Sequence, residues 1–117
     1  MKGLLVLVTE NQADKKQAEE LAQILLSLFS QNCTLKNIER YTKFDDSYKL
    51  TFEFIIADDK NSNIIGIEVT AKICSPWAVY YDEDQQQVEL IFNKTSQTKY
   101  YHLSHEVIRW GNWFLVE

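Results

Sequence analysis

The chain has 117 residues, 45% of them hydrophobic and 25% charged, and its 17 acidic and 12 basic side chains give a net charge of −5. This length and composition predict one folded domain over residues 1–117, with a core that needs no disulfide or metal to be stable. The excess of acid argues against nucleic acid or an anionic membrane as the main partner, and it is compatible with a basic protein partner.

The first predicted element is a short buried strand. An unbroken aliphatic run extends from Leu4 to Val8 and stops at Thr9. It is shorter than the apolar core of about 7–15 residues in a secretory signal, and no small-residue cleavage site follows it. No stretch approaches the ~18 apolar residues of a membrane span. We therefore expect a cytoplasmic protein.

A long amphipathic helix is predicted next. Thr9 or Asn11 is its expected N-cap, Asp14 lies in its first turn, and it is expected to end near Gln31-Asn32. Its apolar residues recur at three- and four-residue spacing, which is typical of a helix with one buried face. These residues are Ala18, Leu21, Ala22, Leu25, Leu28 and Phe29.

The segments that follow are predicted to be strands. The segment from Thr34 to Phe44 fits helical and extended periodicities about equally, and its threonines and tyrosine favour a strand. From Tyr48 to Ile73, every second residue is apolar on both sides of a polar break at residues 58–63, which predicts a β-hairpin with one buried face. We expect the helix to pack on this hairpin through Leu50, Phe52, Phe54, Ile67 and Val69.

The last third is predicted to contain two more strands and a short helix. Pro76 interrupts the ladder, and the strands 77–81 and 88–92 flank a turn at residues 82–85. Ser104 is the expected cap of a short helix that ends at Gly111, before a closing apolar segment. The predicted fold class is α+β, with one long N-terminal helix packed on a mostly antiparallel, meander-like sheet of five to six strands and a short C-terminal helix.

Few residues suggest chemistry. His102, His105 and Glu106 are the one cluster of metal-ligand types, and no Cys-x-x-Cys pair or further histidine completes a coordination shell. Cys33 and Cys74 have no basic neighbour in sequence that would activate a thiol, and we expect both to be free and buried. The sequence therefore predicts no catalytic residue, no metal, no cofactor and no enzyme activity.

Acidic side chains concentrate in the turns Asp45-Asp46, Asp58-Asp59 and Asp82-Glu83-Asp84. In a meander, successive turns alternate between the two ends of the sheet, so the last two groups would share one end. Aspartate also favours turns for local hydrogen-bonding reasons alone. A carboxylate rim beside two tyrosines would nevertheless steer a partner rich in Lys and Arg. The predicted partner-binding residues are Asp58, Asp59, Tyr80, Tyr81, Asp82, Glu83 and Asp84.

The aromatic content is also high, with three Trp, six Tyr and six Phe. Trp77, Trp110 and Trp113 are predicted to close the core, and the alternative is that some of them anchor an interface.

A compact acidic chain of this kind resembles the small immunity proteins of bacterial toxin systems, including those of contact-dependent growth inhibition. The resemblance covers the whole chain in size, charge and element order, and it rests on the acidic turns Asp58-Asp59 and Asp82-Glu83-Asp84. It implies a bacterial protein that binds one cognate toxin domain, often a basic nuclease, and neutralises it by protein–protein interaction. Because immunity proteins share no common fold, the resemblance implies no particular architecture.

Two alternatives from other classes remain open. One is a small-ligand-binding α+β domain whose pocket lies between the long helix and the sheet, lined by Phe52, Phe54, Trp77 and Tyr81. The other is a small enzyme that uses the two histidines and Glu106.

Overall fold

The computed structural model describes residues 1–29 and 32–117 as an α+β fold in which two helices cover one face of an antiparallel sheet. Six strands of these residues form the main sheet in the order β2-β3-β1-β8-β6-β5, and β4 pairs with β7 beside it. The strands are β1 (Lys2–Thr9), β2 (Cys33–Arg40), β3 (Tyr48–Ile55), β4 (Cys74–Ser75), β5 (Ala78–Asp82), β6 (Gln87–Asn93), β7 (Lys99–Tyr100) and β8 (Ile108–Val116). The helices are α1 (Lys15–Phe29) and α2 (Ser62–Ala71), and a 3₁₀ helix spans Leu103–Val107.

The core lies on the face of the sheet that the helices cover, called here the helix face. On this face Leu5 of β1 lies opposite Phe52 of β3 and Trp113 of β8, and all three side chains are fully buried. Since side chains alternate between the two faces of a strand, every second residue of these strands faces the helices. The opposite face, called the open face, carries residues such as Val6 and Phe114.

Helix α1 follows β1 and has 15 residues. Its first turn is closed by Asp14, whose Oδ1 accepts a hydrogen bond from the Gln17 N–H at 3.0 Å, while Gln17 Oε1 accepts one from the Ala13 N–H at 2.8 Å. The predicted caps were wrong, because Thr9 belongs to β1 and Asn11 has a left-handed φ of 57°. The helix ends at Phe29, and the predicted end at Gln31 lies outside the described residues.

The buried side of α1 is the predicted one. Its buried residues are Ala18, Leu21, Ala22, Leu25 and Phe29, and Leu28, which was also predicted to be buried, is half-buried against the core. The Phe29 ring lies 5.5 Å from the ring of Phe52 and 5.4 Å from that of Phe54, at angles that bring ring edges towards ring faces. The predicted packing of this helix on the strand from Tyr48 is confirmed.

The second half of the predicted hairpin was wrong, because residues 62–71 form helix α2. Asn61 caps it, accepting hydrogen bonds from the N–H groups of Asn63 at 3.0 Å and Ile64 at 3.2 Å. Gly66, Val69 and Thr70 are its buried residues, at helical spacing, whereas Ile67 is 47% exposed and does not join the core. Gly66 sits against Trp113, since a Cβ there would lie 2.2 Å from the indole nitrogen. Ile65, Ile67 and Val69 lie at every second position, which is the spacing of a strand, and this spacing caused the wrong prediction.

Because α2 takes the place of the predicted second hairpin strand, the sheet is not the predicted meander. In the main sheet, β1 and β8 lie side by side between the strand pairs β2–β3 and β6–β5. The predicted strand at 34–44 is confirmed from Cys33 to Arg40, after which the chain turns. The predicted C-terminal α-helix was wrong, because only the 3₁₀ helix forms and His102, not Ser104, caps it. Gly111 lies inside β8, where a Cβ would meet the ring of Trp77 at 2.6 Å.

Candidate partner-binding surface

Strand β5 is the more accessible edge of the sheet. It pairs with β6, and within the described residues no strand pairs with its other side. All five of its side chains are exposed, including Val79 at 59%, Tyr80 at 57% and Tyr81 at 56%. An unpaired edge with exposed apolar side chains offers both backbone hydrogen-bonding groups and contact area to another chain.

The opposite edge strand, β2, is protected by comparison. Its register shifts between Leu35 and Asn37, which marks an irregularity of the bulge type. Lys36, Glu39 and Arg40 place charge along it. Bulges and charged side chains are common ways in which proteins prevent an edge strand from pairing. The two edges therefore differ, and β5 is the one suited to a partner.

Two groups of predicted binding residues lie at the same end of the sheet. Strand β3 ends at Ile55 opposite Lys2, which lies opposite Val116 at the end of β8. The turn between β5 and β6 is at this end as well, because β6 runs antiparallel to β8 from Gln87 onward. The carboxylates of Asp58, Asp59, Asp82, Glu83 and Asp84 are exposed there, and they are called here the acidic rim.

The shared end arises from a different topology than the predicted meander. Helix α2 starts beside the β5–β6 turn and leads to Ile73, whose carbonyl bonds the Tyr101 N–H near the start of β8. It therefore crosses the sheet in the direction that the predicted strand would have taken. Asp59 precedes Asn63 by four residues, so their Cα atoms lie within roughly 14 Å of each other. The predicted grouping thus holds although the predicted element does not.

The rim carboxylates are not neutralised by neighbours. In the part of the chain that the structure describes, none of them forms an ion pair, and all four observed pairs involve Glu10, Glu39 or Glu53. Asp82 has a local role, since its Oδ1 accepts hydrogen bonds from the N–H groups of Asp84 at 2.9 Å and Gln85 at 3.3 Å. Local hydrogen bonds in the turn therefore account for Asp82 in part. They do not account for the other four carboxylates of the acidic rim.

The two histidines serve the structure. His105 is buried, and its Nδ1 donates a hydrogen bond to the Ile73 carbonyl at 3.0 Å. Burial lowers the pKa of His105 below its ordinary value. His102 Nδ1 accepts from the Ser104 N–H at 3.1 Å and caps the 3₁₀ helix. Within residues 1–29 and 32–117, no three His, Cys, Asp or Glu side chains converge in a way that could hold a metal ion.

Cys33 and Cys74 are free thiols, as predicted; Cys74 is buried, whereas Cys33, which was also expected to be buried, is half-buried. Burial raises the pKa of each thiol to about 12. For Cys74, a hydrogen bond with Trp77 opposes that rise without cancelling it. A thiol becomes a nucleophile only as the thiolate, so neither side chain is activated at neutral pH.

The predicted location of a ligand cavity, between the long helix and the sheet, was wrong. Phe52 and Phe54 are buried in the packed core, Trp77 packs against Phe92 with ring centroids 5.5 Å apart, and Tyr81 is exposed. These side chains do not line a common space. Of the three tryptophans, Trp113 is fully buried, whereas Trp77 and Trp110 are half-buried.

A cavity of about 830 Å³ instead lies on the open face. Its floor includes Val6, Trp110 and Phe114, and its wall includes the stacked rings of Tyr41 and Phe44, whose centroids are 5.8 Å apart. Sequence reasoning missed this cavity because residues 105–111 were interpreted as a helix. As a strand, this segment places Trp110, Asn112 and Phe114 on one face and Gly111 and Trp113 on the other. The strand pattern therefore predicts a second, largely apolar face of the sheet.

The cavity is bordered by basic side chains. Lys94 Nζ lies 2.8 Å from Glu10 Oε2, and Lys49 Nζ lies 3.0 Å from Glu39 Oε1. The Arg109 guanidinium carbon lies 3.8 Å from the centroid of the Phe44 ring. Two lysines are thus paired, while Arg109 is held by an aromatic face.

Comparison of the chain with protein-family models, with curated protein sequences and with solved structures found no match. In the described residues, neither helix combines the length and the apolarity needed to cross a bilayer. The surface geometry is therefore what supports a functional proposal.

Proposed function

We propose that this chain is a non-catalytic binding protein that neutralises a cognate bacterial toxin domain, as an immunity protein does. The observation that supports this proposal best is the exposed edge strand β5, whose Tyr80 and Tyr81 lie next to the acidic rim. An edge strand with one exposed tyrosine on each face, flanked by unpaired carboxylates, is complementary to a basic protein surface that carries apolar side chains.

Each part of this surface has a separate physical task. Tyrosine supplies large contact area at a low cost in conformational entropy, and Tyr80 and Tyr81 point to opposite faces of β5. The rim supplies long-range attraction, which raises the association rate and selects against acidic partners. Rim charges add less to affinity than buried aromatic anchors do.

Neutralisation of a toxin needs no catalytic group from this chain. If the partner is a nuclease, its cationic groups bind the phosphates of the substrate. Carboxylates of the rim can form ion pairs with those cationic groups, and the bound immunity protein then blocks the access of nucleic acid to the nuclease. This mechanism fits a chain with a net charge of −5.

A growth assay tests the proposal. Candidate toxin domains, taken from the genes that neighbour the gene of this chain, are expressed in a bacterial host with or without the chain, and growth is followed. We expect the wild-type chain to restore growth and a Tyr80→Ala/Tyr81→Ala double variant to lose most of the protection. Tyr101 is also exposed but lies outside β5, so Tyr101→Ala is the matched control and should protect normally. Failure of the wild-type chain to protect, or full protection by the double variant, contradicts the proposal.

A further inference from the structure

We propose that the open-face cavity binds a small organic anion that has a planar ring, with Arg109 and Lys43 receiving its carboxylate or phosphate group. This site is separate from the surface proposed above. Val8 pairs with Trp110 at the cavity, whereas the acidic rim lies beyond the other end of β1, at Lys2. The cavity therefore adds a ligand site at the opposite end of the sheet.

The balance of charges carries the first step. Lys43, Lys49, Lys94 and Arg109 border the cavity, with Glu10 as its acidic residue. The ion pairs described above occupy two of the lysines. In the described part of the chain, Lys43 and Arg109 have no carboxylate partner. Two unpaired cations at a concave site, in a chain of net charge −5, favour an anion there.

The position of Arg109 carries the second step. Its guanidinium lies against the Phe44 ring, with Lys43 Nζ 5.9 Å from the same ring centroid. A stacked guanidinium uses its face and leaves N–H groups free along its edge. That edge matches the two oxygens of a carboxylate or phosphate in a forked arrangement. Because stacking restricts the side chain before a ligand arrives, less entropy is lost on binding.

The aromatic lining of the cavity indicates which uncharged part the ligand has. Trp110 and Phe114 form part of the floor, and Tyr41 and Phe44 form part of the wall. Aromatic rings pack well against other flat rings, with gains beyond those of buried area alone. The volume of about 830 Å³ falls within the range of ligand pockets. A planar ring bearing one anionic group satisfies both the lining and the charges.

The test uses two probes that share this chemistry and differ in the anionic group. Adenosine monophosphate presents a phosphate, and indole-3-carboxylate presents a carboxylate. Binding is measured by calorimetry, and the site is located from shifts of the backbone amide signals of residues 43–44 and 109–110 in NMR spectra. Adenosine, which lacks the charge, and inorganic phosphate, which lacks the ring, are the comparison compounds. We expect at least one probe to bind more tightly than adenosine and inorganic phosphate do. The amide shifts that it causes should be confined to residues at the cavity.

Arg109→Gln is the decisive variant, and Arg40→Gln is its matched control. Both arginines lie over aromatic rings, since Arg40 is 5.9 Å from the Tyr48 ring centroid, and Arg40 does not border the cavity. We expect Arg109→Gln to weaken probe binding by at least about tenfold, as loss of a charge-assisted hydrogen bond does. Arg40→Gln should bind as the wild type does. Arg109→Lys, which keeps the charge and loses the fork, should bind with intermediate affinity.

Three results would overturn the proposal. The first is that neither probe binds at millimolar concentration. The second is that the shifts map outside the cavity. The third is that Arg109→Gln, shown by circular dichroism to be folded, binds as tightly as the wild type. If Arg109→Gln does not fold, Phe44→Leu replaces it, because loss of the stacked ring should weaken probe binding and unchanged binding overturns the proposal.

Discussion

The side chain of Asn63 joins the first turn of α2 to the backbone around Gln86. Its Nδ2 donates a hydrogen bond to the Gln86 carbonyl at 2.9 Å, and its Oδ1 accepts one from the Val88 N–H at 3.0 Å. One carboxamide thus satisfies an acceptor of the β5–β6 turn and a donor at the start of β6. The turn carries Glu83 and Asp84, so this contact also orders the acidic rim relative to the helix.

Replacement of Asn63 by Ala should therefore loosen the rim. Both hydrogen bonds would be lost, at a cost of about 1–2 kcal/mol in the free energy of unfolding. Asn63→Asp is the matched comparison, because it keeps the acceptor for the Val88 N–H and loses the donor to Gln86. We expect faster hydrogen exchange at Val88 in Asn63→Ala than in Asn63→Asp. Equal exchange rates in the two variants and the wild type would show that the contact does not hold the turn.

Leu25 and Ile24 test the placement of α1. Leu25 is fully buried, and its neighbour Ile24 is 47% exposed. Leu25→Ala should lower the free energy of unfolding by about 2–5 kcal/mol, since it removes buried methyl groups and leaves a cavity. Ile24→Ala should cost about 1 kcal/mol or less. Urea unfolding of both variants measures the difference, and similar costs would contradict the packing of this helix face.

The sequence predicted the elements in which local periodicity and burial agree. The buried face of α1 and the strand from Tyr48 to Ile55 are examples, because each has a single apolar face at the spacing of its own structure. Helix α2 could not be predicted in this way. Its large apolar residues do not form one stripe at helical spacing, since Ile64 and Ile67 are exposed, and the contact between Gly66 and Trp113 that packs the helix on the sheet joins distant parts of the chain.

The candidate sites show the same division. The grouping of Asp58 and Asp59 with the 82–84 turn could be predicted, since it depends only on how often the chain crosses the sheet. The cavity at Arg109 could not, because it requires the loop of Phe44 to fold over strand β8. Neither residue carries a local signal of that contact. Long-range packing therefore creates the site that sequence reasoning missed.

Gly66→Ala should destabilise the protein although alanine favours helices. At an exposed helical position, the exchange of Gly for Ala gains about 1 kcal/mol. Here the added Cβ would lie 2.2 Å from the indole nitrogen of Trp113, so the buried ring must move, at a cost of about 1–3 kcal/mol. Thermal unfolding of Gly66→Ala, alone and combined with Trp113→Phe, measures the coupling. If the two changes are additive, the close contact between helix and ring does not exist in solution.

His105 should make stability depend on pH below neutrality. Burial lowers its pKa from the ordinary value of 6.5 in the folded state, so the unfolded chain takes up a proton first as the pH falls. The free energy of unfolding should then decrease below about pH 6.5, by at most about 1.4 kcal/mol per pH unit, until the folded-state pKa is reached. His105→Asn removes the titrating group and should flatten this part of the profile. His102→Asn removes only the smaller contribution of the neighbouring histidine to the lowered pKa of His105, so most of the slope should remain.

The acidic rim makes the sharpest kinetic prediction. A variant with Asp82→Asn, Glu83→Gln and Asp84→Asn removes three charges, and Asn at position 82 keeps the oxygen that accepts from the Asp84 N–H. Folding stability should therefore change by less than about 0.5 kcal/mol. Association with a basic toxin domain should slow several-fold at low salt, and the rate should depend less on salt concentration, because electrostatic steering is lost.

A control with the same change in charge separates local from global effects. Glu19, Glu20 and Asp45 are exposed and lie outside the acidic rim, so the triple variant Glu19→Gln, Glu20→Gln and Asp45→Asn removes as many charges elsewhere. Stopped-flow association rates across a range of salt concentrations compare the two variants. If the rim variant keeps the rate and salt slope of the wild type, or if both variants slow equally, the rim does not guide a partner. Its carboxylates would then serve the turns alone, as Asp82 does in part.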